Sequence, residues 1–378
     1  MTQNNILIIA GEPSGDLHAA RLVRDLKSLD SNLEFFGLGG RLSKDAGVDT
    51  IFDISKLALV GLAEVLKNIF TVGKVFKGIL KRVDQERPCL AILVDYPGFN
   101  LRLARELKKR SIPVVYYISP QVWAWGRDRI KIIKECVTKI LVFFKFEEDL
   151  YKTYGIDAEF VGHPLLGTVK ASLSKSEALK KYDFKEGSLK IVLLPGSRAT
   201  EIKAIFPTMV SAAQKIKEKA PNAQFIIARY EGLPLSMYED IIKDSGLDIR
   251  IASGDTYNAL NASDFAIVTS GTATLETAII GTPLIITYKA NLLTYIAYKL
   301  VATIPFIGIV NIIAGKEIAP EFIQYAATPQ NMADTVMSIV SDKSRMAGMR
   351  EELRKVKDSL GYSEASMRSA RAIIKLLQ

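Results

Sequence analysis

Polar residues follow the short apolar runs of this sequence, and several of these positions could carry chemistry. The first is Gly11–Asp16 (GEPSGD), where Glu12, Ser14, Asp16 and then His18 come directly after an apolar run. Glycines permit a tight turn and close ligand approach, and a helix that begins here offers free N–H groups to an anion or a sugar. Neither a P-loop nor a dinucleotide-binding glycine spacing is present. We predict a catalytic or ligand-binding role, the alternative being that Ser14 or Asp16 only caps the helix.

Asp95 ends the fully apolar run Leu90–Val94 and is followed closely by Asn100. A carboxylate at the end of a buried strand is costly unless it is exposed in a cleft or hydrogen-bonded. We therefore predict that Asp95 is a general base, with Glu12 and His18 as the competing candidates. The alternative is that Asn100 caps a helix and Asp95 lies in an ordinary turn.

Gly196, Ser197 and Arg198 follow another apolar run, Ile191–Leu194. A Gly-Ser turn after a strand frees backbone N–H groups, and an arginine adds a bidentate donor for phosphate. The helix expected after the turn contributes the positive end of its dipole. We predict phosphate binding here, the alternative being an ordinary turn with a solvated arginine.

A further strand-end turn has the sequence SGTATLE and begins at Ser270. Ser270, Gly271 and Thr272 could cradle a phosphate, and Glu276 could accept hydrogen bonds from both hydroxyls of a ribose. A threonine that only caps the helix is the alternative. Two phosphate-type turns in one domain favour a nucleoside diphosphate as the ligand.

Charge and composition narrow the class of partner. The 378 residues have a formal net charge of +9, but lysines and arginines are scattered and no nucleic-acid motif occurs. We expect anionic small molecules or lipids as partners and no nucleic acid. With only His18 and His163 as histidines and no DxD motif, we expect no metal and no cofactor. Cys89 and Cys136 lack a partner motif, which favours the reducing cytoplasm.

The segment 57–83 has an amphipathic pattern. Its apolar positions include Leu62, Leu66, Ile69 and Phe76, and lysines lie on the other side. We predict that this face contacts acyl chains or membrane lipids; a helix that packs on the protein core is the alternative. We expect no signal peptide and no transmembrane helix, because the most apolar stretch is interrupted by lysines, proline and glycine.

Apolar runs alternate with amphipathic helical segments along the chain, which predicts an α/β protein of two tandem Rossmann-like doubly wound domains. A polar, lysine-rich stretch near residues 168–188 interrupts the alternation. We predict domains over 1–168 and 169–345, and C-terminal helices over 346–378 that pack back on the first domain or exchange between the chains of a homodimer. The four turns would lie at strand carboxyl ends, where such sheets bind ligands in the cleft between domains.

The predicted strands are Ile6–Ala10, Leu33–Leu38, Leu90–Asp95, Val114–Ser119, Ile140–Phe144, Glu159–Val161, Ile191–Leu194, Gln224–Ala228, Ile249–Ala252, Phe265–Thr269 and Leu284–Tyr288.

Taken together, the motifs resemble the lipid-A-disaccharide synthase family over nearly the whole chain. They are GEPSGD at 11–16, LVGLAEVL at 59–66, VDYPGFN at 94–100, YYISPQVWAWGRDR at 116–129, FVGHPL at 160–165, LLPGSR at 193–198 and SGTATLE at 270–276. The part from Ser119 to Trp125 is especially specific, since it holds both tryptophans. One departure is Val310-Asn311-Ile312-Ile313, where the family usually has Pro-Asn-Leu-Leu; Asn311 is retained.

The resemblance implies the B-type glycosyltransferase fold and an inverting transfer without a cofactor. The donor would be UDP-2,3-diacylglucosamine, the acceptor the 6-hydroxyl of 2,3-diacylglucosamine 1-phosphate, and the products a β-1,6-linked disaccharide 1-phosphate and UDP. Such enzymes act peripherally on the cytoplasmic face of the inner membrane of Gram-negative bacteria. Within this scheme Ser14, Asp16 and Asn100 would bind the acceptor, and Asn311 and the pair Glu321 and Gln324 would join the donor site.

Three competing functions remain. A UDP-N-acetylglucosamine 2-epimerase or a lipid-linked glucosaminyltransferase would share the fold, but the Val-Trp-Ala-Trp segment argues against both. A non-catalytic nucleotide-sugar or lipid-binding protein would not need Asp95, Arg198 and Glu276 together. A nicotinamide-dependent dehydrogenase would need the glycine spacing that the sequence lacks.

Overall fold

A computed structural model describes residues 4–54, 69–124, 126–290 and 304–378, without the side chains of residues 69 and 70. The chain forms two compact units, Met1–Pro164 with Leu360–Gln378 and Leu165–Ser359. In each unit, helices accompany one wholly parallel sheet. The predicted α/β fold of two Rossmann-like doubly wound domains is confirmed.

The first unit is built on a seven-stranded sheet in the order β3-β2-β1-β4-β5-β6-β7. Its elements are β1 (Asn5–Ala10), α1 (Pro13–Leu29), β2 (Glu34–Gly39), α2 (Arg41–Asp45), β3 (Val48–Asp53), α3 (Ile69–Glu86), β4 (Leu90–Val94), α4 (Pro97–Lys109), β5 (Val114–Tyr117), α5 (Arg129–Cys136), β6 (Lys139–Val142), α6 (Lys145–Thr153), β7 (Ala158–Phe160) and the C-terminal helix α15 (Ala365–Leu377).

The second unit has a six-stranded sheet in the order β10-β9-β8-β11-β12-β13. Its elements are α7 (Lys175–Lys181), β8 (Lys190–Leu194), α8 (Ala199–Lys219), β9 (Gln224–Arg229), α9 (Ser236–Ile242), β10 (Ile249–Ser253), α10 (Thr256–Ala262), β11 (Phe265–Thr269), α11 (Thr272–Ile280), β12 (Leu284–Tyr288), α12 (Ile309–Ala314), β13 (Glu321–Ile323), α13 (Pro329–Val340) and α14 (Lys343–Ser359).

The central strands are continuous apolar runs because helices cover both faces of the sheet. On one face of the first sheet, Ile6 and Ile8 pack with α1 and α15; on the other, Leu7 and Ile9 pack with α3 and α4. Two strands were not predicted, β3 and β13. Both are sheet-edge strands and mostly half-buried, so they lack the continuous apolar run that marks the central strands.

The C-terminal helices divide between the two units. Helix α14 belongs to the second unit, where it contacts α11, α12 and α13, whereas α15 packs on α1 in the first unit. The chain therefore returns to the first unit at Leu360, not at residue 346 as the sequence suggested, because the amphipathic α14 finds its apolar partners in the second unit. No helix in the described ranges is both long and apolar enough to cross a bilayer.

Candidate functional site

In the first unit, the candidate residues follow two adjacent strands, β1 and β4. The strand order runs outward in opposite directions from this pair, and such a reversal opens a crevice beyond the carboxyl ends of the strands. Gly11–Asp16 follows β1 and Asp95 follows β4. The register pairs Ala10 with Val94, so the two turns begin side by side.

Asp95 lies in a strained and well-braced turn. Asp95 and Tyr96 both have φ of 47°, a left-handed conformation that is uncommon outside glycine. The Asp95 carbonyl accepts hydrogen bonds from Asn100 Nδ2 (2.7 Å) and from Tyr116 Oη (2.7 Å), and its N–H donates to the Tyr117 carbonyl (3.1 Å). Residues held in such conformations cluster at functional sites.

The Asp95 carboxyl has an unusual proton affinity. Burial, and to a smaller extent the charge of Glu12, raise its pKa from the ordinary 3.8 to about 6, against a lowering hydrogen bond from the Tyr96 backbone. Glu12 itself is exposed. A half-buried carboxylate with a raised pKa beside a second carboxylate is suited to accept a proton near neutral pH.

Asn100 is fully buried and supports this turn. Its Nδ2 donates to the carbonyls of Val94 (3.2 Å) and Asp95 (2.7 Å), while Oδ1 has no hydrogen-bond partner among the described residues. Its observed contacts brace the strand end. Acceptor binding by Asn100 remains a prediction, as it does for the exposed Ser14.

Asp16 does not cap α1, which begins after Glu12 without a side-chain cap; its carboxylate bonds residues 40–43 instead. This side chain is 5% exposed, and Oδ1 accepts hydrogen bonds from Gly40 N (2.7 Å), Ser43 N (3.1 Å) and Ser43 Oγ, while Oδ2 accepts from Leu42 N (3.1 Å). The carboxylate therefore holds the loop between β2 and α2. With four donors inside the fold, it has little capacity left for an acceptor sugar.

His18 lies in an aromatic cluster. Its ring centroid is 5.5 Å from that of Phe143 and 6.5 Å from that of Tyr117, and the His163 ring also lies 5.5 Å from Phe143. Burial, with the charge of Arg21, lowers the pKa of His18 to about 4. A neutral imidazole with this pKa is a weaker base than Asp95 at neutral pH, so the geometry favours Asp95.

The predicted lipid-contact residues fall only partly within the described residues. Leu62 and Leu66 lie outside them, and only the backbone of Ile69 is described. Phe76 is half-buried on α3, packs against the core and meets Phe99 edge-on at 5.3 Å. The described part of this segment is thus a core-packed helix, as the alternative interpretation held.

In the second unit, a cleft of about 740 Å³ lies at the carboxyl ends of β8 to β11. Strands β8 and β11 are adjacent, and the order of the sheet reverses at this pair as in the first unit. The predicted residues that line the cleft are Gly196, Ser197, Arg198, Ser270, Gly271, Thr272 and Glu276.

The turn after β8 already contains an anion, the carboxylate of Glu201. Its Oε2 accepts hydrogen bonds from the backbone N–H groups of Ser197 (3.2 Å) and Arg198 (3.4 Å), and Oε1 accepts from Arg198 Nη1 (2.8 Å). Gly196 has φ of 108°, and a Cβ there would lie 2.6 Å from Glu201 Oε2. These N–H groups were predicted to bind phosphate, and Glu201 was not expected as their partner.

The turn after β11 leaves open space at Gly271, where an added Cβ would meet no atom within 4 Å. Gly271 has φ of 150° and precedes α11, while the Ser270 side chain donates to the Ile307 carbonyl (2.9 Å). The first turn of a helix presents N–H groups without intrahelical partners. Thr272 and Ala273 bring that turn into the cleft lining.

Glu276 is half-buried on the next turn of α11. One carboxylate oxygen accepts a hydrogen bond from Tyr257 Oη (3.0 Å), and burial raises the pKa of Glu276. Both residues line the cleft. A carboxylate oriented in this way can accept hydrogen bonds from neighbouring hydroxyl groups of a ligand.

Asn311, Glu321 and Gln324 are not part of the cleft lining; each fastens a loop. Asn311 is fully buried and bonds Ile318 N, Ala319 N and the Ala319 carbonyl. Glu321 accepts from Ile307 N, Gly308 N and Asn311 Nδ2, all at 2.8–2.9 Å. Gln324 exchanges two hydrogen bonds with the backbone of Ala290 (3.0 Å each). These contacts support a positioning role; direct contact with the donor remains a prediction.

Several residues that line the cleft were not predicted from the sequence. Arg229 ends β9 and Tyr230 follows it, while Asp255 and Tyr257 follow β10. The strand-end rule that located the other turns could have found them. Arg229 donates to Ser253 Oγ (3.1 Å) and to the Leu233 carbonyl (2.6 Å), while its buried Nε has no partner among the described residues.

Among the described residues, no group of three or more His, Cys, Asp or Glu side chains is placed to hold a metal ion.

The family model and the similar curated proteins all carry the same family description. The family model described as lipid-A-disaccharide synthetase matches residues 6–374. The lipid-A-disaccharide synthase of Syntrophus aciditrophicus is 42% identical over 379 residues, covering 100% of this chain and 99% of the relative. That of Geobacter sulfurreducens is 39% identical, covering 100% and 98%.

Solved structures with low sequence identity share the fold. The UDP-GlcNAc 2-epimerase of Neisseria meningitidis, bound to UDP-GlcNAc, has a TM-score of 0.60 at 11% identity and covers 98% of this chain and 100% of its own. The calicheamicin glycosyltransferase CalG4 reaches 0.63 at 13% (100% and 99%), and MurG of Acinetobacter baumannii reaches 0.60 at 13% (98% and 99%). The chain has the B-type glycosyltransferase fold.

Proposed function

The chain belongs to the lipid-A-disaccharide synthase family and is a glycosyltransferase, and from this premise we propose its substrates and the residues that act on them. The donor is UDP-2,3-diacylglucosamine and the acceptor 2,3-diacylglucosamine 1-phosphate. The observation that carries the proposal is the cleft of the second unit, where two strand-end turns and the Glu276 carboxylate meet at the reversal of a parallel sheet.

In the proposed donor complex, the diphosphate lies at the turn after β11. The N–H groups at the start of α11 donate to it, and the helix dipole favours its negative charge. Arg198 adds a positive charge from the turn after β8. Glu276 accepts the ribose hydroxyls with the oxygen that Tyr257 leaves free. The solved neighbours described as bound to UDP-GlcNAc and to UDP share this fold, which supports a UDP-sugar.

In the proposed reaction, Asp95 accepts the proton of the acceptor 6-hydroxyl as this oxygen attacks the anomeric carbon. The bond from that carbon to the UDP oxygen breaks on the opposite face, so the α-linked donor gives a β-linked product. The raised pKa of Asp95 supports this role, since a base whose pKa lies near the working pH transfers protons efficiently. The α11 N-terminus and Arg198 stabilise the charge that develops on UDP.

Both proposed substrates are acylated, so we propose that the enzyme works at the cytoplasmic face of the inner membrane as a peripheral protein. Contact through Leu62, Leu66 and Ile69 stays part of this proposal, whereas Phe76 is committed to the core. A homodimer formed by exchange of α15 is also retained as a proposal. Light scattering would test it, and a monomer at micromolar concentration would contradict it.

The decisive experiment mixes diacylated UDP-glucosamine with the 1-phosphate acceptor and measures UDP and disaccharide. We expect both products in equal amounts. Asp95→Asn should bind UDP normally but lower kcat by at least about 100-fold, as for loss of a general base. Glu276→Gln should instead weaken UDP binding. UDP release without disaccharide, or epimerisation of UDP-GlcNAc, would contradict the proposed function.

A further inference from the structure

The segment that follows β5 has a distinctive sequence but no role in the reaction so far. It starts at Ser119, and Ser119–Ala124 is described. Strand β5 is the neighbour of β4, with Tyr117 paired to Val94, and adjacent strands lie about 4.8 Å apart. Tyr116 and Tyr117 both bond the backbone of Asp95. The segment therefore leaves the sheet beside the proposed base.

The backbone is strained where the segment begins. Ile118 has φ of 66°, and a β-branched residue in this left-handed region is a genuine outlier. Its N–H is held by the Leu141 carbonyl at 3.2 Å. Strain of this kind persists only where the surrounding structure over-determines the conformation.

Helix α6 supplies that surrounding structure through a buried carboxylate. Glu147 is 4% exposed, and its Oε1 accepts hydrogen bonds from Ser119 Oγ (3.1 Å) and Trp123 Nε1 (3.0 Å). Both donors are neutral, so the carboxyl is buried at considerable cost. Burial accordingly raises the pKa of Glu147 to about 7 even though Trp123 and Ser119 bond to it.

A second residue of α6 holds the same segment one turn later. Tyr151 is fully buried, and its Oη donates to the Pro120 carbonyl at 3.1 Å. Val122 and Ala124 are buried as well, which leaves Gln121 as the exposed side chain of the described segment. Three hydrogen bonds and two buried apolar side chains thus hold the segment in place, and the Gln121 amide is left exposed at the carboxyl edge of the sheet.

We propose that Gln121 contacts the acceptor sugar next to Asp95 and that Glu147 is the positioning residue that fixes the segment in place. A primary amide both donates and accepts, which matches the hydroxyl and acylated-amine groups of a glucosamine derivative. This inference rests on the proposed function, because it requires an acceptor whose hydroxyl reaches Asp95.

The test is steady-state kinetics with the full-length protein, with diacylglucosamine 1-phosphate and the diacylated UDP-glucosamine donor varied in turn. Gln121→Ala should raise the acceptor KM about tenfold, as for the loss of a good hydrogen bond, and leave the donor KM within about twofold. Its melting temperature should not change, since Gln121 is exposed. Lys131→Ala, an exposed change on nearby α5, is the matched control and should alter neither KM.

Variants of the positioning residue separate its role from general stability. Glu147→Leu removes the acceptor oxygen and should raise the acceptor KM at least as much as Gln121→Ala, whereas Glu147→Gln retains an acceptor oxygen and should restore it to within about threefold. If Glu147→Leu does not fold, Trp123→Phe removes one of the two donors and takes its place.

Two results would overturn the inference. One is an unchanged acceptor KM in Gln121→Ala; the other is an equal rise of donor and acceptor KM in the Glu147 or Trp123 variants. A wild-type protein that makes no disaccharide would instead contradict the proposed function, so the two failures can be distinguished.

Discussion

The ring of Tyr96 lies so close to Gly11 that a Cβ on Gly11 would be 2.3 Å from Tyr96 Cδ1. The two residues belong to the turns after β4 and β1. Tyr96 has φ of 47° and stacks on Phe99 with a centroid distance of 5.6 Å. The glycine therefore leaves the space that the strained Asp95–Tyr96 turn needs.

Gly11→Ala should displace Tyr96 and disturb Asp95, which precedes it. We expect kcat to fall by about tenfold or more, because small misplacements of a catalytic group are costly. Gly15→Ala is the matched control, since a Cβ there meets its nearest neighbour at an ordinary 3.7 Å. Adding Tyr96→Ala to Gly11→Ala removes the clash. If the single Gly11 variant is fully active, the close contact between Gly11 and Tyr96 does not affect catalysis by Asp95.

The raised pKa of Asp95 predicts the acid limb of the pH–rate profile. A general base must be deprotonated, so kcat/KM should fall about tenfold per pH unit below pH about 6. Burial is the larger cause of the shift and the charge of Glu12 the second, so Glu12→Gln should move the limb to lower pH without returning it to 3.8. An unmoved limb would show that Glu12 does not act on the titrating group.

The same shift predicts a pH-dependent effect on stability. The pKa of Asp95 is higher in the folded than in the unfolded protein, so its protonated carboxyl adds to the free energy of unfolding. This stabilisation is fully present below pH 3.8 and is lost as the pH rises through about 6. The loss is on the order of 3 kcal/mol. Asp95→Asn should therefore be more stable than wild type at pH 8 and similar at pH 4, measured by urea unfolding. Equal stability differences at both pH values would contradict the shift.

Asp16→Ala should act on folding, because four donors of residues 40–43 lose their acceptor. We expect the free energy of unfolding to fall by about 2–4 kcal/mol, as for loss of a buried hydrogen-bond network. Ser14→Ala, a change at an exposed residue of the same motif, is the control and should leave the free energy of unfolding almost unchanged. A variant with normal unfolding but a much higher acceptor KM would restore acceptor binding as the role of Asp16.

Glu201→Gln should strengthen UDP binding several-fold. In the structure the Glu201 carboxylate bonds the N–H groups of Ser197 and Arg198 and the Arg198 guanidinium, so it competes with the proposed diphosphate for the positive charge of Arg198. A neutral amide competes less well and removes a repelling charge. Glu218→Gln, exposed on the same helix, should leave binding unchanged. Weaker UDP binding in Glu201→Gln would mean that the carboxylate stays in place and orients Arg198. Isothermal titration with UDP measures both variants.

Much of this protein follows from local sequence. Strands such as β1, β4, β8 and β11 are predictable because a strand covered on both faces must be apolar throughout. The position of ligand-facing residues follows in turn, because parallel strands place all their carboxyl ends at one edge. Asp95, Arg198 and Glu276 were located in this way.

The tertiary structure decided what each of those side chains does. Asp16 was predicted to bind a ligand because of its type and place, and Asn311 because of the family resemblance. Their partners nevertheless lie 24–27 and 7–10 residues away, in loops that sequence periodicity does not describe. Glu147 has no strand-end signal, and only the packing of α6 brings it to Ser119 and Trp123. Hydrogen-bond partners and pKa values depend on burial and on neighbours distant in sequence, and these exist only once the chain has folded.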